Sequence, residues 1–599
     1  MSASTTITSG GIATFTVKSN GSIIPDETRV LSIEVNKGVN QIPIAKVVVM
    51  DGSAATETFA VSSSSTFIPG NKMTIEAGYD GQNQVIFEGI VTKQSIQIDQ
   101  SVGAVLIIEC RDEAIKMAVG RKSVSYTKKK DSDILRTIIS QYSGLSAAIT
   151  STQTEWPEQV QYYATDWDFL LARAEANGMI VTALNGKVAV FDPSENTSSV
   201  STVTYGDDLL AFNASLDAVS QLGAAKATSW DFAAQQIISG EATSSYAGPG
   251  NLSSKKLSEV VGLSAYELQS TAPIQHPDLT NWSKAALVKS AYSKIQGDVK
   301  FQGSNLVDPG KYISLAGLGD RFDGDHIISS VQHVIADGNW TTEASVGLSP
   351  IWFTQEPDVM APPASGLVPG AQGLFNATVK KIYEDPDSQY RVLVDVPLFD
   401  SEDEGIWARL TNFYATSGAG AFFMPEVGDE VVVGFLNEDP RYPIILGSMY
   451  NASNHKPFNG LDPNEKNSVK AIVSKSGITL AFDDENKELT LETPQKNTAI
   501  LSDKEKKITL KDQNGNCIVM SESGITIKSS KNITVDATQN LTLKGDQGVT
   551  IESAGGDVQI KGMNIKHTAD MQFSAEGSLT ASLQGGTETT IKGAMVMIN

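Results

Sequence analysis

The 599-residue sequence predicts a mainly β protein that ends in a needle built from three chains. Short runs of alternating apolar and polar residues recur along most of the chain, and Gly, Asn or Asp residues separate them. The last stretch repeats one short unit every eight residues. Alternation is typical of strands, because successive side chains point to opposite faces of a sheet. Few segments have the spacing of an amphipathic helix, so few helices are expected.

Composition and charge limit the classes of protein. The length allows three or four domains, and the net charge of -23 disfavours nucleic acid and anionic lipid as partners. Cys110 and Cys517 lie in strand-like segments far apart in the chain, so reduced core residues are expected rather than a disulfide. Residues 1–12 lack the features of a signal peptide, and no run of about 18 apolar residues occurs. We therefore expect a cytoplasmic protein.

Residues 1–356 are expected to form two barrel-like domains with a few helices. A helix is predicted over 132–142, with Asp131 or Ser132 as its cap. Thr165 and Asp168 have the spacing of a capping box at the start of a second helix, which Gly178 ends. A third helix is expected near 282–293. Strand candidates include 45–50, 72–79, 84–91, 104–111, 179–184, 187–191 and 324–333, with a tight Asn185-Gly186 turn between the two strands that flank it.

A Pro- and Gly-rich linker, 357–374, separates this region from a small domain at 375–450. Five strand candidates within about 75 residues suit a barrel of the OB type. Trp407 and Phe423 are expected in its core rather than on a ligand platform, and the acidic run 400–404 would repel a polyanion. A second linker, 451–475, follows.

Residues 476–599 are predicted to form the needle, irregularly with hairpin-like turns at first and as strict eight-residue units after Gly524. One coil of a β-solenoid needs about three strands, so three identical chains should share each level. About fifteen units would give a rod on the order of 70 Å. An ordinary antiparallel meander is the alternative. The aliphatic side chains expected to point inwards are Ile525, Ile527, Ile533, Val535, Leu541, Leu543, Val549, Ile551, Val558 and Ile560.

No catalytic, cofactor-binding or metal-binding constellation with diagnostic spacing is evident, so the protein is predicted not to be an enzyme and to hold no cofactor. His326 and His333 are seven residues apart on one predicted strand and should face opposite sides, which disfavours a metal pair. The main alternative is a trimeric β-helical polysaccharide-degrading enzyme of the tailspike kind, which would show glycan cleavage. A trimeric adhesin is a third hypothesis.

Two segments carry a family resemblance. The first is Gln161–Gly178 with the hairpin that follows it. The second has Trp407-Ala408-Arg409, then Gly418–Phe435 with Pro425, Gly428 and Asp429 in fixed order, then Asp439-Pro440. This order resembles the VgrG-type spike proteins of type VI secretion and the related hub and needle proteins of contractile phage tails. The resemblance extends over essentially the whole chain and is most specific in the barrel and needle.

The resemblance implies a structural role. A homotrimer would cap the inner tube of a contractile injection machine, contact inner-tube and baseplate proteins at its hub, and puncture the target envelope. It would carry a PAAR-type tip protein and effector toxins, and would reach the cell exterior or the target envelope after contraction or release. The tip would dock on Ala594, Met595, Val596, Met597, Ile598 and Asn599. A type VI apparatus, an extracellular injection particle and a phage-tail-like bacteriocin remain open as the machine.

Overall fold

The computed structural model describes residues 11–100, 103–232, 234–356, 359–399, 405–452, 455–458 and 464–598. The acidic run 400–404, linker residues 357 and 358, and Asn599 lie outside the described residues, as do residues 1–10. The chain divides into two compact units, Met1–Met449 and Tyr450–Asn599. Strands far outnumber helices among the described residues, which confirms the predicted mainly β class.

The N-terminal strands alternate between buried and exposed positions, as the sequence pattern predicts. Hydrophobic side chains that include Ile33, Val35, Val47 and Ile75 are fully buried in one cluster on these strands. The strands are β1 (Ala13–Ser19), β2 (Ser22–Ile23), β3 (Val30–Gly38), β4 (Ile44–Met50), β5 (Lys72–Tyr79), β6 (Gln82–Asp99) and β7 (Gly103–Arg111).

A segment that contains two helices and five strands follows β7. It comprises β8 (Lys122–Lys130), α1 (Asp131–Ile139), β9 (Ser146–Ile149), β10 (Glu155–Ala164), α2 (Asp166–Ala176), β11 (Ile180–Leu184) and β12 (Lys187–Phe191). Thr165 caps α2 by accepting a hydrogen bond from the Asp168 amide at 3.0 Å, as predicted. The β11–β12 hairpin turns through Asn185 and Gly186, both at positive φ, as the tight turn requires.

The predicted cap of α1 is wrong. The N-cap residue is Lys130, which makes no side-chain cap hydrogen bond, and Asp131 is the first helical residue. The Asp131 carboxylate points elsewhere, because it accepts hydrogen bonds from Arg173, Asn177 and Trp156. These partners lie far along the chain, so a local capping rule could not identify them.

The second half of this region adds another set of strands and the longest helix. They are β13 (Ser199–Thr204), β14 (Leu209–Leu216), β15 (Ala224–Asp231), β16 (Gln236–Thr243), α3 (Ser254–Ser258), β17 (Tyr266–Ser270), α4 (His276–Tyr292), β18 (Ile295–Gln302), β19 (Tyr312–Ala316), β20 (Gly324–Ala336) and β21 (Asn339–Val346). Helix α4 starts six residues before the predicted helix and packs on β15 and β16.

One sheet of thirteen strands runs through both halves. Its main order is β14-β18-β21-β20-β3-β4-β7-β6-β5-β1-β2, with β19 pairing β20 and β13 pairing β19. The halves join where β3 pairs antiparallel with β20, with Val35 opposite His333 and Ile33 opposite Ile335. Each half keeps its own buried hydrophobic cluster. Strands of both expected barrel-like domains thus share one sheet, whereas β8 with β10, β9 with β11 and β12, and β15–β17 form three separate small sheets.

A closed five-stranded barrel forms the last part of the first unit, in the order β22-β23-β24-β28-β27. This confirms the predicted OB-type barrel. The strands are β22 (Phe375–Lys381), β23 (Val392–Asp395), β24 (Ile406–Leu410), β27 (Glu430–Phe435) and β28 (Pro443–Ser448), and a small hairpin of β25 (Ala415–Thr416) and β26 (Ala419–Gly420) lies between β24 and β27.

The predicted core position of Phe423 is wrong, because its side chain is 60% exposed. The barrel interior is instead filled by smaller aliphatic residues such as Val394, Val431 and Ile445. Trp407 is half-buried and lies 5.9 Å from the Arg391 guanidinium.

The second unit contains an antiparallel meander of seven strands, each paired with the next. They are β29 (Val469–Val473), β30 (Thr479–Asp483), β31 (Glu488–Glu492), β32 (Thr498–Ser502), β33 (Lys507–Lys511), β34 (Cys517–Ser521) and β35 (Gly524–Lys528). The predicted hairpin-like turns at 483–486 and 512–515 connect β30 to β31 and β33 to β34. Cys110 and Cys517 are both free cysteines.

Candidate trimerisation surface and tip

One face of the meander is an apolar ladder two side chains wide. Residues paired across strands share a face, and so do residues two apart within a strand. Leu480 pairs with Leu491, and Phe482 with Leu489, and the same registry continues to the last strand. The first column is Leu480, Leu491, Ala499, Leu510, Ile518 and Ile527, and the second is Phe482, Leu489, Leu501, Ile508, Met520 and Ile525.

The opposite face of the meander is more polar than the ladder face. Its central row contains Thr490, Thr509 and Thr526 between Ala481, Ile500 and Val519. Charged residues flank this row at strand ends, among them Glu488, Lys507 and Lys511. The sheet is therefore amphipathic, and only the ladder face needs to be covered.

The ladder is not covered within its own chain. Leu491, Leu501 and Leu510 are 48%, 45% and 44% exposed. A shallow trough of about 740 Å³ lies on this face, lined in part by Leu491, Ala499 and Leu510. Burying an aliphatic side chain stabilises a protein by roughly 1.5–3 kcal/mol, so a twelve-residue ladder left in water is a large unsatisfied hydrophobic surface.

The repeats beyond the meander have no strand partners among the described residues of this chain. From Ser529 to Ile598 no strand is assigned, although the eight-residue pattern continues. An extended chain leaves its amides and carbonyls unpaired, and folded proteins pair nearly all of these groups once they are buried.

The predicted needle-core side chains are all exposed in the isolated chain. Ile533 and Val535 are 56% and 66% exposed, and Leu541 and Leu543 are 57% and 70% exposed. Ile525, Ile527, Val549, Ile551, Val558 and Ile560 have exposures of 53–70%. Of these, Ile525 and Ile527 lie on the last rung of the apolar ladder. The inward position of all ten residues stays a prediction that depends on the trimer.

The last residues form an exposed apolar end. Met595, Met597 and Ile598 are 80%, 77% and 87% exposed, and Val596 is 48% exposed. Asn599, the last member of the predicted docking set, lies outside the described residues. Docking of a tip protein here stays a prediction.

The two histidines of β20 are both buried. His326 Nε2 donates to the Phe322 carbonyl at 2.7 Å, and His333 Nδ1 lies 3.0 Å from the Thr342 hydroxyl. A β-bulge between Ile328 and Ser330 separates them, so simple alternation does not give their relative orientation. Burial lowers the pKa of both imidazoles. Within the described ranges, no group of three His, Cys, Asp or Glu residues could hold a metal ion.

No described helix combines the length and apolar character needed to cross a membrane.

Sequence reasoning missed the width of the ladder. The apolar–polar–apolar pattern of a single strand does not show that antiparallel pairing aligns two apolar columns over six strands. The signal is present: units of five residues alternate with turns at Asp483–Asn486 and Asp512–Gly515, which bring neighbouring strands back side by side.

Comparisons with known proteins agree with this architecture. The family model of the type VI secretion and phage-baseplate injector OB domain matches residues 375–450. The model of the phage baseplate V C-terminal trimerisation domain matches residues 488–542, which include the last five strands of the meander and the first repeats beyond it. A third model, the Alg8 N-terminal domain, matches residues 9–337.

Individual relatives match over shorter segments. The type VI secretion spike protein VgrG3 of Vibrio cholerae is 36% identical over 98 residues, 16% of this chain and 9% of that protein. The spike protein VgrG1c of Pseudomonas aeruginosa is 28% identical over 144 residues, 24% of this chain and 19% of that protein. The chain thus matches less than a fifth of the length of either relative.

Solved tail proteins also resemble the chain. The 43 kDa tail protein of prophage MuSo2 from Shewanella oneidensis is 12% identical, with a TM-score of 0.41, over 56% of this chain and 98% of that one. An E. coli component of the type VI secretion system is 12% identical, with a TM-score of 0.38, over 72% of this chain and 99% of that one.

The barrel and the trimerisation segment together define the class: a spike protein of the VgrG and phage-baseplate V type. The chain also belongs to the family of the Alg8 N-terminal domain, whose model matches residues 9–337, more than half of the sequence.

Proposed function

We propose that three copies of this chain form the spike at the end of a contractile injection machine. The observation that carries the proposal is the repeat stretch from Ser529 to Ile598, which continues the eight-residue pattern but pairs with no strand among the residues that the structure describes. Two further copies would supply those partners. The one-sided apolar ladder and the matched trimerisation domain support the same assembly.

The needle would act mechanically. Three meanders facing each other with their ladders inward would bury twelve side chains per chain, and the repeats would then continue as a shared β-helix. Strands hydrogen-bonded to different chains cannot separate one at a time, because each chain is held by two others along its length. Such a rod would concentrate the force of contraction on a small area of the target envelope.

The first unit would serve as the hub. Its thirteen-stranded sheet and barrel would connect the inner tube and baseplate proteins to the needle. The protein would be made in the cytoplasm, assembled into the apparatus there, and carried outside the cell or into the target envelope on contraction or release. Effector toxins would travel with it.

The assembly can be tested by sedimentation of the purified full-length protein. Three chains per particle are expected. A folded monomer with unchanged strand content by circular dichroism would contradict the proposal, because the ladder and the repeats would then be stable without partners.

The C-terminal end would carry a PAAR-type tip protein. Deletion of residues 594–599 should abolish co-purification of such a tip, because the exposed Met595, Met597 and Ile598 of three chains would be lost together. Sedimentation of the same variant should still give a trimer, since the ladder and earlier repeats remain. Undiminished tip binding by the trimeric variant would refute this docking site.

A further inference from the structure

A small pocket lies in the first unit. It has a volume of about 280 Å³, the space of roughly nine water molecules. The start of β10, the end of α2, the end of β17 and the first turns of α4 surround it. Its most informative lining residues are Trp156, Arg173, Asn177, Asp278 and Trp282.

In the pocket wall, Arg173 is held by an ion pair with a buried carboxylate, and the two charges cancel. Arg173 donates two hydrogen bonds to the buried Asp131 carboxylate, each of 2.8 Å. Asn177 and the Trp156 indole nitrogen donate to the same carboxylate at 2.9 and 3.2 Å. The Arg173 guanidinium also lies 5.1 Å from the centre of the Trp156 ring. Arg173 therefore forms its ion pair with Asp131, and its charge reaches Asp278 only through space.

Asp278 is a buried carboxylate in the wall of the pocket, in the first turn of α4. It is only 9% exposed, accepts a hydrogen bond from Thr154, and has no salt bridge to any residue that the structure describes. Burial raises the pKa of this carboxyl group; the Thr154 hydroxyl and the charge of Arg173 offset this rise in part, and the charge of Asp131 adds to it. A buried carboxylate is stabilised by a cation or by several donors, and the chain provides neither in full.

The remaining walls suit an organic cation. The indoles of Trp156 and Trp282 are half-buried and line the pocket beside Asp278. Indole faces attract ammonium groups, more strongly once water is removed. The side-chain amides of Asn177, Asn281 and Gln269 supply further polar contacts. A saccharide would also use tryptophan walls, but it would leave the charge of Asp278 unbalanced.

We propose that this pocket binds one primary ammonium group on a lysine-sized chain, held by a salt bridge to Asp278 between Trp156 and Trp282. Either a free polyamine or a lysine side chain of a docked polypeptide would supply this chemistry. The proposal does not depend on the spike function, because it concerns a site within one protomer.

The test is a ligand-observed NMR titration of the full-length protein with butylammonium and with its neutral isostere, 1-butanol. Butylammonium should bind with a dissociation constant in the millimolar range, and 1-butanol should bind at least about tenfold more weakly, because it cannot form the charge-assisted bond. Equal binding of the two compounds, or no binding of either, would overturn the proposal.

Variants separate the pocket from the general attraction of cations to an acidic protein. Asp278→Asn should weaken butylammonium binding by about tenfold or more. Trp282→Leu should weaken it severalfold while keeping the pocket apolar. Glu267→Gln is the matched control: it removes one negative charge from an exposed position on β17 that does not line the pocket, and binding should be unchanged.

Melting temperature distinguishes a binding role of Asp278 from a structural one. Asp278→Asn should melt at or above the temperature of the unmodified protein, because the variant removes a poorly compensated buried charge. A clear fall in melting temperature with unchanged butylammonium affinity would overturn the proposal, as would an equal loss of affinity in Glu267→Gln. If Asp278→Asn does not fold, unchanged binding by Trp282→Leu would overturn it.

Two further ligands identify the source of the amine. Tighter binding of spermidine than of Nα-acetyl-lysine methylamide supports a free polyamine, and the reverse order supports a lysine of a docked chain. Both results support the ammonium chemistry itself.

Discussion

The buried carboxylate of Asp131 is stabilised by hydrogen bonds from residues that lie far away in the sequence. Its carboxylate is 2% exposed and is bound by Arg173, Asn177 and Trp156. Burial raises the pKa of this group, but the hydrogen bonds and charge of Arg173 outweigh that effect, and the pKa lies below its usual value. A lowered carboxyl pKa stabilises the fold above the unfolded-state value of about 3.9, and that stabilisation is lost as pH falls through the folded-state pKa.

Arg173→Ala should therefore destabilise the first unit by roughly 3–5 kcal/mol near neutral pH, because it leaves a buried carboxylate without its cation. Calorimetric unfolding at pH 7 and at pH 3 measures this, and the difference between variant and unmodified protein should shrink at the lower pH. Lys256→Ala is the control, since Lys256 and its partner Glu259 are both exposed, and it should change stability by less than about 1 kcal/mol. Equal effects of the two substitutions would contradict this account.

Neighbouring residues of one repeat should differ sharply in their tolerance of charge. Ile533→Asp would place three carboxylates at one level of the proposed needle core, whereas Thr534→Asp would place them outside. The first should lower trimer stability by at least about 3 kcal/mol, and the second by less than about 1 kcal/mol. Thermal unfolding followed by sedimentation checks both. A stable Ile533→Asp trimer would refute the inward position of Ile533.

Single positions were the least predictable from sequence. Alternation and turn residues predicted the Thr165 cap and the Asn185-Gly186 turn, because both depend on neighbours within a few residues. The role of Asp131 and the exposure of Phe423 depend on segments that meet only in the folded chain. The local pattern therefore predicted the Thr165 cap and the Asn185-Gly186 turn correctly, but neither the cap of α1 nor these long-range contacts.

At the scale of elements, the needle should tolerate changes in length only in steps of one complete eight-residue unit. A strand alternates with period two, so a shift by one residue turns every inward side chain outward. Removing a complete unit restores the original phase, and removing seven residues does not.

Deletion of residues 541–548 should therefore leave a trimer with nearly unchanged melting temperature, because Val549 then takes the place of Leu541. Deletion of residues 541–547 is the matched control and should disrupt the needle beyond Asn540. Sedimentation and limited proteolysis distinguish the two. Equal behaviour of the deletions would show that the phase of the repeat does not matter.

The sequence pattern of the meander strands does not predict which strands pair with each other. The sequence predicted hairpin-like turns in the first, irregular part of the needle region. Whether such strands pair within one chain or between chains depends on loop length and partner number, which the pattern does not encode. The structure pairs Val469–Lys528 within the chain, as in the antiparallel alternative, and leaves only the later repeats without internal partners.

For the whole molecule, the proposed assembly makes a prediction about length. Residues 529–598 hold nearly nine units, which at about 4.8 Å per stacked strand would extend a needle by roughly 40 Å. A variant that stops after Lys528 should show a needle shorter by this amount in electron micrographs, with an unchanged hub. A shortening of only a few ångströms would mean that the repeats fold back on themselves.

The pairing of β3 with β20 affects how the chain is made. Val30–Gly38 leaves the ribosome almost 300 residues before its partner strand, Gly324–Ala336, has been synthesised. At about 5–20 residues per second, this interval lasts on the order of 15–60 s. For that time β3 is a bare hydrophobic edge able to recruit strands of neighbouring nascent chains. Producing the protein in cells therefore requires that this edge be shielded during translation, and slow synthesis or high expression should favour aggregation.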